Sequence, residues 1–171
     1  VGHSMGGHIV LRAVIDDRLH PRPAALVLSA PMLDVLPDAV PLAAKRAFAR
    51  AMAALKGETA LAWKVSEKPG TRAALRQSLL THDDARYADE LWWRHERPEL
   101  LTGPATWGWV RAAMDSVAAI FRPGALEAVT LPVFMLATDS DRLVSPAAIR
   151  RAIDRLPRVE ALVFGPEARH E

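Results

Sequence analysis

The sequence predicts an α/β fold, a parallel sheet interrupted by a helical insertion, and three observations point to it. A glycine-rich turn, Val1-Gly2-His3-Ser4-Met5-Gly6-Gly7, leads straight into an apolar helical stretch. Short apolar runs follow at 24–28, suited to a strand buried on both faces, at 132–137, read as a buried strand, and at 159–164, read as a final strand. Between the first two of these runs the character turns alanine-rich, arginine-rich and helical, and every tryptophan lies there: Trp63, Trp92, Trp93, Trp107 and Trp109.

Taken in order, His8 to Ile15 reads as a helix that apolar residues wrap almost completely, from Ile9, Val10 and Leu11 to Ala13, Val14 and Ile15. Pro21-Arg22-Pro23 ends that helical stretch. Ala24 to Leu28 is the first strand, so the opening has the turn, helix, strand order of a parallel sheet. Within the insertion, Leu42 to Leu55 is a helix stopped by Gly57. A second spans Thr106 to Phe121, where Trp107, Val110, Met114, Val117 and Phe121 recur three or four apart as one apolar stripe. The α/β pattern returns with the strand Pro132 to Ala137, a helix capped by Ser145 with Pro146 in its first turn, and a last strand Val159 to Phe164. The chain therefore divides into a core segment at 1–34, a helical cap at 35–123 and a second core segment at 124–171.

With 171 residues, half of them hydrophobic, the chain has the material for one globular domain or a large part of one. No run approaches the roughly 18 apolar residues of a spanning helix. A net charge of +2 without a clustered basic stripe gives no support to nucleic-acid binding. The absence of cysteine excludes disulfides, thiolate metal sites and a cysteine nucleophile. No H-E-x-x-H spacing is present, so neither a metal nor another cofactor is expected. The expected location is cytoplasmic or membrane-peripheral. Oligomeric state is not legible. Val1 falls inside a domain rather than ahead of one, so a leader cannot be judged and the strands that should precede the turn are expected to be missing.

Gly2-His3-Ser4-Met5-Gly6 fits G-x-S-x-G, a sharp turn between strand and helix that exposes a serine as nucleophile. A Cβ at residue 2 or 6 is expected to clash with the tightly folded backbone. The amide of Met5 and the positive end of the helix dipole would face the oxyanion that forms on an attacked carbonyl. Such a nucleophile requires an acid and then a histidine later in the chain, each in a loop after a strand, because parallel strands deliver their C-terminal ends to one edge. Asp141 follows the strand ending at Ala137, and His170 follows the last strand. Asp139 and Asp34 also end expected strands and stand as alternatives for the acid. His3 is expected to line the turn, and His8, His20, His82 and His95 to be surface or packing residues.

Four segments carry a family resemblance: Gly2-His3-Ser4-Met5-Gly6-Gly7, Leu28-Ser29-Ala30-Pro31-Met32-Leu33, Asp139-Ser140-Asp141-Arg142-Leu143-Val144 and Ala168-Arg169-His170-Glu171. They resemble serine hydrolases of the α/β-hydrolase fold, in the group of lysophospholipase L2, the monoacylglycerol lipases and the S33 serine aminopeptidase-like hydrolases. Leu80-Thr81-His82-Asp83 and Gly103-Pro104-Ala105-Thr106-Trp107-Gly108-Trp109 resemble the cap of the lysophospholipase branch. One departure is Thr138, where the group usually has glycine.

The resemblance implies an acyl-enzyme esterase acting on acyl-glycerol or lysophospholipid, a small-molecule partner, with peripheral membrane contact left open. Ser4 would be the nucleophile, His170 the base, Asp141 the acid and Met5 one oxyanion donor. The second donor would come from an earlier loop, so this segment alone is expected to be inactive. Trp107 and Met114, with His3, are candidates for the substrate pocket, although the same stripe is the ordinary face that packs a helix on a core. The alternatives are a small-ester esterase, a peptidase, an acyltransferase, or a relative without catalysis.

Overall fold

The computed structural model describes residues 1–63, 73–100 and 103–171. Four strands, β1 (Gly2–His3), β2 (Leu26–Ser29), β3 (Val133–Thr138) and β4 (Val159–Phe164), form one sheet in the order β1-β2-β3-β4, every pair parallel. Chain order and sheet order coincide, so each connection crosses over and all C-terminal strand ends meet at one edge.

The first helix, α1 (Ser4–Ile15), begins at Ser4 rather than at His8, because the serine itself turns the chain with φ 50° and no separate loop intervenes. Nor is it wrapped in apolar contacts. Gly7, His8, Leu11 and Val14 form one buried face, while Ile9 is 55% exposed on the other. Strand β2 is displaced toward Ser29 from the expected 24–28. Its ladder starts where the Leu26 amide donates to the Pro132 carbonyl, leaving Ala24 and Ala25 exposed after Pro23.

Strand β3 is one of two inner strands of the sheet, bonded on both sides, and its Val133, Met135 and Ala137 enter the main core. That core gathers Leu11 and Val14 from α1, Leu28 from β2, and Ile149 and Ala152 from the helix between β3 and β4. Fully burying a Leu, Met or Ile contributes about 1.5–3 kcal/mol each relative to exposure, so these side chains dominate what holds the sheet and helices together.

The stretch between β2 and β3 holds α2 (Leu42–Lys56), α3 (Ala73–Leu80), α4 (Asp84–Glu96) and α5 (Trp107–Ile120). Gly57 at φ 92° ends α2. The N-caps of α4 and α5 are side chains: Asp83 accepts from the Ala85 and Arg86 amides, and Thr106 from the Trp109 amide. Helices α2 and α5 pack through Ala49, Met114 and Val117, and Arg46 and Arg50 both pair with Asp115 beside that contact. The end of α5 reaches the main core, where Ile120 is fully buried. After β3, α6 (Pro146–Ile153) starts at Ser145, whose hydroxyl accepts from the Ala148 amide, and buries Ala148, Ile149 and Ala152.

Candidate active site

The turn at Ser4 depends on two glycines. A Cβ on Gly2 would lie 2.8 Å from the Gly6 carbonyl oxygen and the Gly7 backbone, and one on Gly7 would lie 2.9 Å from the Pro31 side chain. At Gly6 the expectation of a clash fails, since a Cβ there would meet nothing within 4 Å. The reason is direction. Gly2 and Gly7 face each other and the β2 loop across the bend, whereas Gly6 faces outward. The non-glycine positive φ of Ser4 is a strained conformation that persists only where its surroundings over-determine it.

The loop after β4 brings His170 against this turn, with the ring almost wholly buried. Its Nδ1–H donates to Asp141 Oδ2 at 2.7 Å, and its Nε2 accepts from the Ser4 hydroxyl at 2.9 Å. Asp141 uses its other oxygen to accept from the Leu143 and Val144 amides at 2.8 and 3.0 Å. Burial on its own would raise the Asp141 pKa. The hydrogen bonds from His170 and the two amides outweigh it, and the carboxyl is held below its ordinary value. An ionised Asp141 on Nδ1 fixes the tautomer that leaves Nε2 free to take a proton.

The rival acids lie elsewhere. Asp139 is exposed and paired with Arg150. Asp34 is buried but engaged with Lys45 at 3.1 Å and with the Val35 amide. Thr138, the departure from glycine, bridges the two loops of the site: its hydroxyl donates to the Gly165 carbonyl at 3.0 Å, reaches the Ala168 carbonyl at 3.3 Å, and accepts from the Ser140 amide.

His3 stacks obliquely on His170 with ring centroids 5.0 Å apart. Burial and then the neighbouring His170 lower its pKa, so it favours the neutral form. Met5 sits in the first turn of α1, where the helix supplies no internal acceptor for its amide. Of the two expectations for His8, surface or packing, packing holds. The residue is 5% exposed and bonded at both nitrogens, to the Met32 carbonyl at 2.9 Å and the Ser116 hydroxyl at 2.7 Å. Its position one turn beyond Ser4, on the face of Leu11 and Val14, was the available signal.

Trp107 and Met114 do not reach this place. Met114 is buried between α2 and α5, and the Trp107 ring lies edge-on to Phe48 at 5.7 Å. The apolar stripe of α5 is thus a packing face. What does adjoin His170 is an open cavity of about 720 Å³, whose lining includes His3 and His170, apolar Leu136 and Phe164, and the cations Arg86 and Arg169, though not Ser4. Thr81, His82 and Asp83 form part of its wall, and the neighbouring Leu80 carbonyl ties this segment to the histidine loop by accepting from the Glu171 amide at 3.0 Å. Among the described residues no group of His, Asp and Glu is placed to hold a metal ion, and no helix is long and apolar enough to cross a membrane.

With this geometry in view, the family described as Serine aminopeptidase, S33, matches the chain over residues 1–171. The chain belongs to that family. Solved structures show that this S33 member has the α/β-hydrolase fold. A monoacylglycerol lipase from Paleococcus ferrophilus is 20% identical, with a TM-score of 0.71 over 99% of this chain and 58% of that one. A soluble variant of monoglyceride lipase from Saccharomyces cerevisiae, in complex with a substrate analog, is 16% identical with a TM-score of 0.69 over 96% and 52%. The 2-hydroxy-6-oxo-6-phenylhexa-2,4-dienoate hydrolase from Rhodococcus sp. strain RHA1 is 21% identical with a TM-score of 0.60 over 99% and 56%. The S33 chain therefore spans a little over half the length of these relatives, consistent with a fragment of the fold. A search of curated proteins found no significant match.

Proposed function

We propose that the protein carrying this chain hydrolyses carboxylic esters through an acyl-enzyme on Ser4, with lysophospholipids or monoacylglycerols as its substrates. The observation that carries this is the unbroken hydrogen-bond chain from the Ser4 hydroxyl through His170 to Asp141. His170 Nε2 takes the hydroxyl proton as Oγ bonds to the ester carbonyl carbon, and Asp141 stabilises the imidazolium. Collapse of the tetrahedral intermediate breaks the ester C–O bond, and the imidazolium returns its proton to the departing alcohol. Water then repeats the sequence on the acyl-serine and releases the acid. The Met5 amide and the N-terminal end of α1 stabilise the oxyanion in both halves.

The cavity beside His170 supports the lipid reading. Leu136 and Phe164 supply an apolar surface, and Arg86 and Arg169 supply cationic groups near the reaction centre, a combination suited to an acyl chain joined to a phosphate. The family description favours peptide hydrolysis as the second reading. An aminopeptidase must hold a substrate ammonium with a carboxylate. In this cavity Asp83 and Glu167 already accept backbone amides, so the task would fall on Glu171.

The test uses the full-length protein. A fluorophosphonate probe should label it, and Ser4→Ala should abolish labelling; unchanged labelling in that variant refutes the nucleophile. Rates on lysophospholipid, monoacylglycerol, short esters and aminoacyl amides then decide the substrate, and a preference for the amide overturns the lipid assignment.

A further inference from the structure

Resting on Ser4 as nucleophile, we infer that His8 is a positioning residue for it, acting through the backbone of Met32. The Met32 amide donates to the Ser4 carbonyl at 2.9 Å. On the other side of the same residue, the Met32 carbonyl accepts from His8 Nδ1–H, also at 2.9 Å. His8 Nε2 in turn accepts from the Ser116 hydroxyl at 2.7 Å, which makes α5 the outer support. The bonds run from Ser116 through His8 and Met32 back to Ser4, one helical turn from where His8 itself stands.

Three physical points give this link more than a packing role. First, a buried imidazole is costly to desolvate, and its pKa is lowered chiefly by that burial; an aliphatic residue would fill the space on the face of Leu11 and Val14 without that cost. Second, both ring nitrogens are satisfied, which fixes the ring plane and the tautomer together. Third, Ser4 is held at φ 50°, a conformation that needs external restraint, and the Met32 amide is one such restraint on its own carbonyl. His8 stops Met32 from drifting, and Met32 stops the bend from relaxing. A serine free to relax would lose its alignment with His170, and misplacement by about 1 Å can lower a rate about 100-fold.

The experiment compares four variants of the full-length protein: His8→Leu, which removes both bonds; His8→Asn, whose amide nitrogen can take the place of Nδ1; Ser116→Ala, which frees only the outer nitrogen; and Ser4→Ala. Active sites are titrated with a fluorophosphonate so that rates refer to folded, competent molecules, and kcat and KM are measured on the best ester substrate. Expected are a fall in kcat of about tenfold or more in His8→Leu with KM nearly unchanged, recovery of most of it in His8→Asn, and a smaller fall in Ser116→Ala. A residue that only packs would lower the melting temperature and the titrated fraction while leaving kcat per site unaltered, and that result overturns the inference. Should His8→Leu fail to fold, Ser116→Ala decides: wild-type kcat per site in that variant refutes the inference. Ser4→Ala separates the cases, since labelling that survives it refutes the nucleophile rather than His8.

Discussion

Thr138 donates its hydroxyl hydrogen to the carbonyl of Gly165, joining the end of β3 to the loop that carries His170. A glycine in place of Thr138 would remove that direct tie between the two loops. The residue is 2% exposed, so its replacement by valine would leave the Ser140 amide without its acceptor and the Gly165 carbonyl with only the Ala168 amide. Thr138→Val should lower stability by about 1–3 kcal/mol, read by denaturant unfolding, and should slow fluorophosphonate labelling of Ser4. Thr138→Ser should retain both properties.

The three carboxylates predict three different outcomes. Asp141→Asn should reduce kcat by about 10⁴-fold, because the amide no longer selects the imidazole tautomer that accepts the serine proton. Asp139→Asn, on the surface, should leave kcat unchanged. Asp34→Asn should reduce stability without a comparable effect on kcat, since it faces Lys45 rather than His170. The lowered folded pKa of Asp141 adds a pH dependence. Its contribution to stability is complete above the ordinary carboxyl value and disappears as pH falls through the lower folded value, so acid unfolding of the wild type should be steeper than that of Asp141→Asn.

Among the glycines of the turn, Gly2→Ala and Gly7→Ala should destabilise most, because the new methyl meets backbone or Pro31 at under 3 Å. Gly6→Ala should be neutral or stabilising by up to about 1 kcal/mol, as alanine favours the helix and finds open space there. Thermal melts of the three variants check this order; equal losses at all three positions would contradict it.

His8 makes stability sensitive to mild acid. Its folded pKa is lowered, so below the ordinary histidine value the unfolded chain binds a proton that the folded chain resists. The associated stability is complete above about pH 6.5 and is lost as pH falls below it. The charged groups that line the same cavity as His8 are Arg12, Asp16 and Arg18 on the α1 side and Asp115 on α5, and of these Arg12 reinforces the lowering. Melting temperatures between pH 7.5 and about 5.5 should fall more in the wild type than in His8→Asn.

Much of this was legible in the sequence where a residue's role is set by its immediate neighbours. Gly57, Asn-free as its surroundings are, stops α2 through its own φ; Ser145 caps α6 through its own hydroxyl; the β4 bounds follow from one apolar run. The placement of Ser4, Asp141 and His170 at one sheet edge follows from strand order, which parallel topology dictates. What stayed hidden depends on long-range partners. The α5 stripe carries no mark distinguishing a pocket wall from a packing face until α2 lies on it, with Ala49 against Met114. His8 looks ordinary until Ser116, 108 positions away, meets its ring. Thr138 looks like a departure until Gly165 is beside it.

The hydrogen bond between Ser4 and His170 spans 166 positions of sequence. On the ribosome the serine emerges first, the aspartate much later and the histidine last. Through nearly the whole of that interval the hydroxyl has no base and is an ordinary alcohol. Closing so long a loop is also slow compared with forming the local helices, so the hydrogen bond is made only after the intervening layers are in place. In the order of synthesis, the contact that orients the Ser4 hydroxyl is therefore among the last that can form.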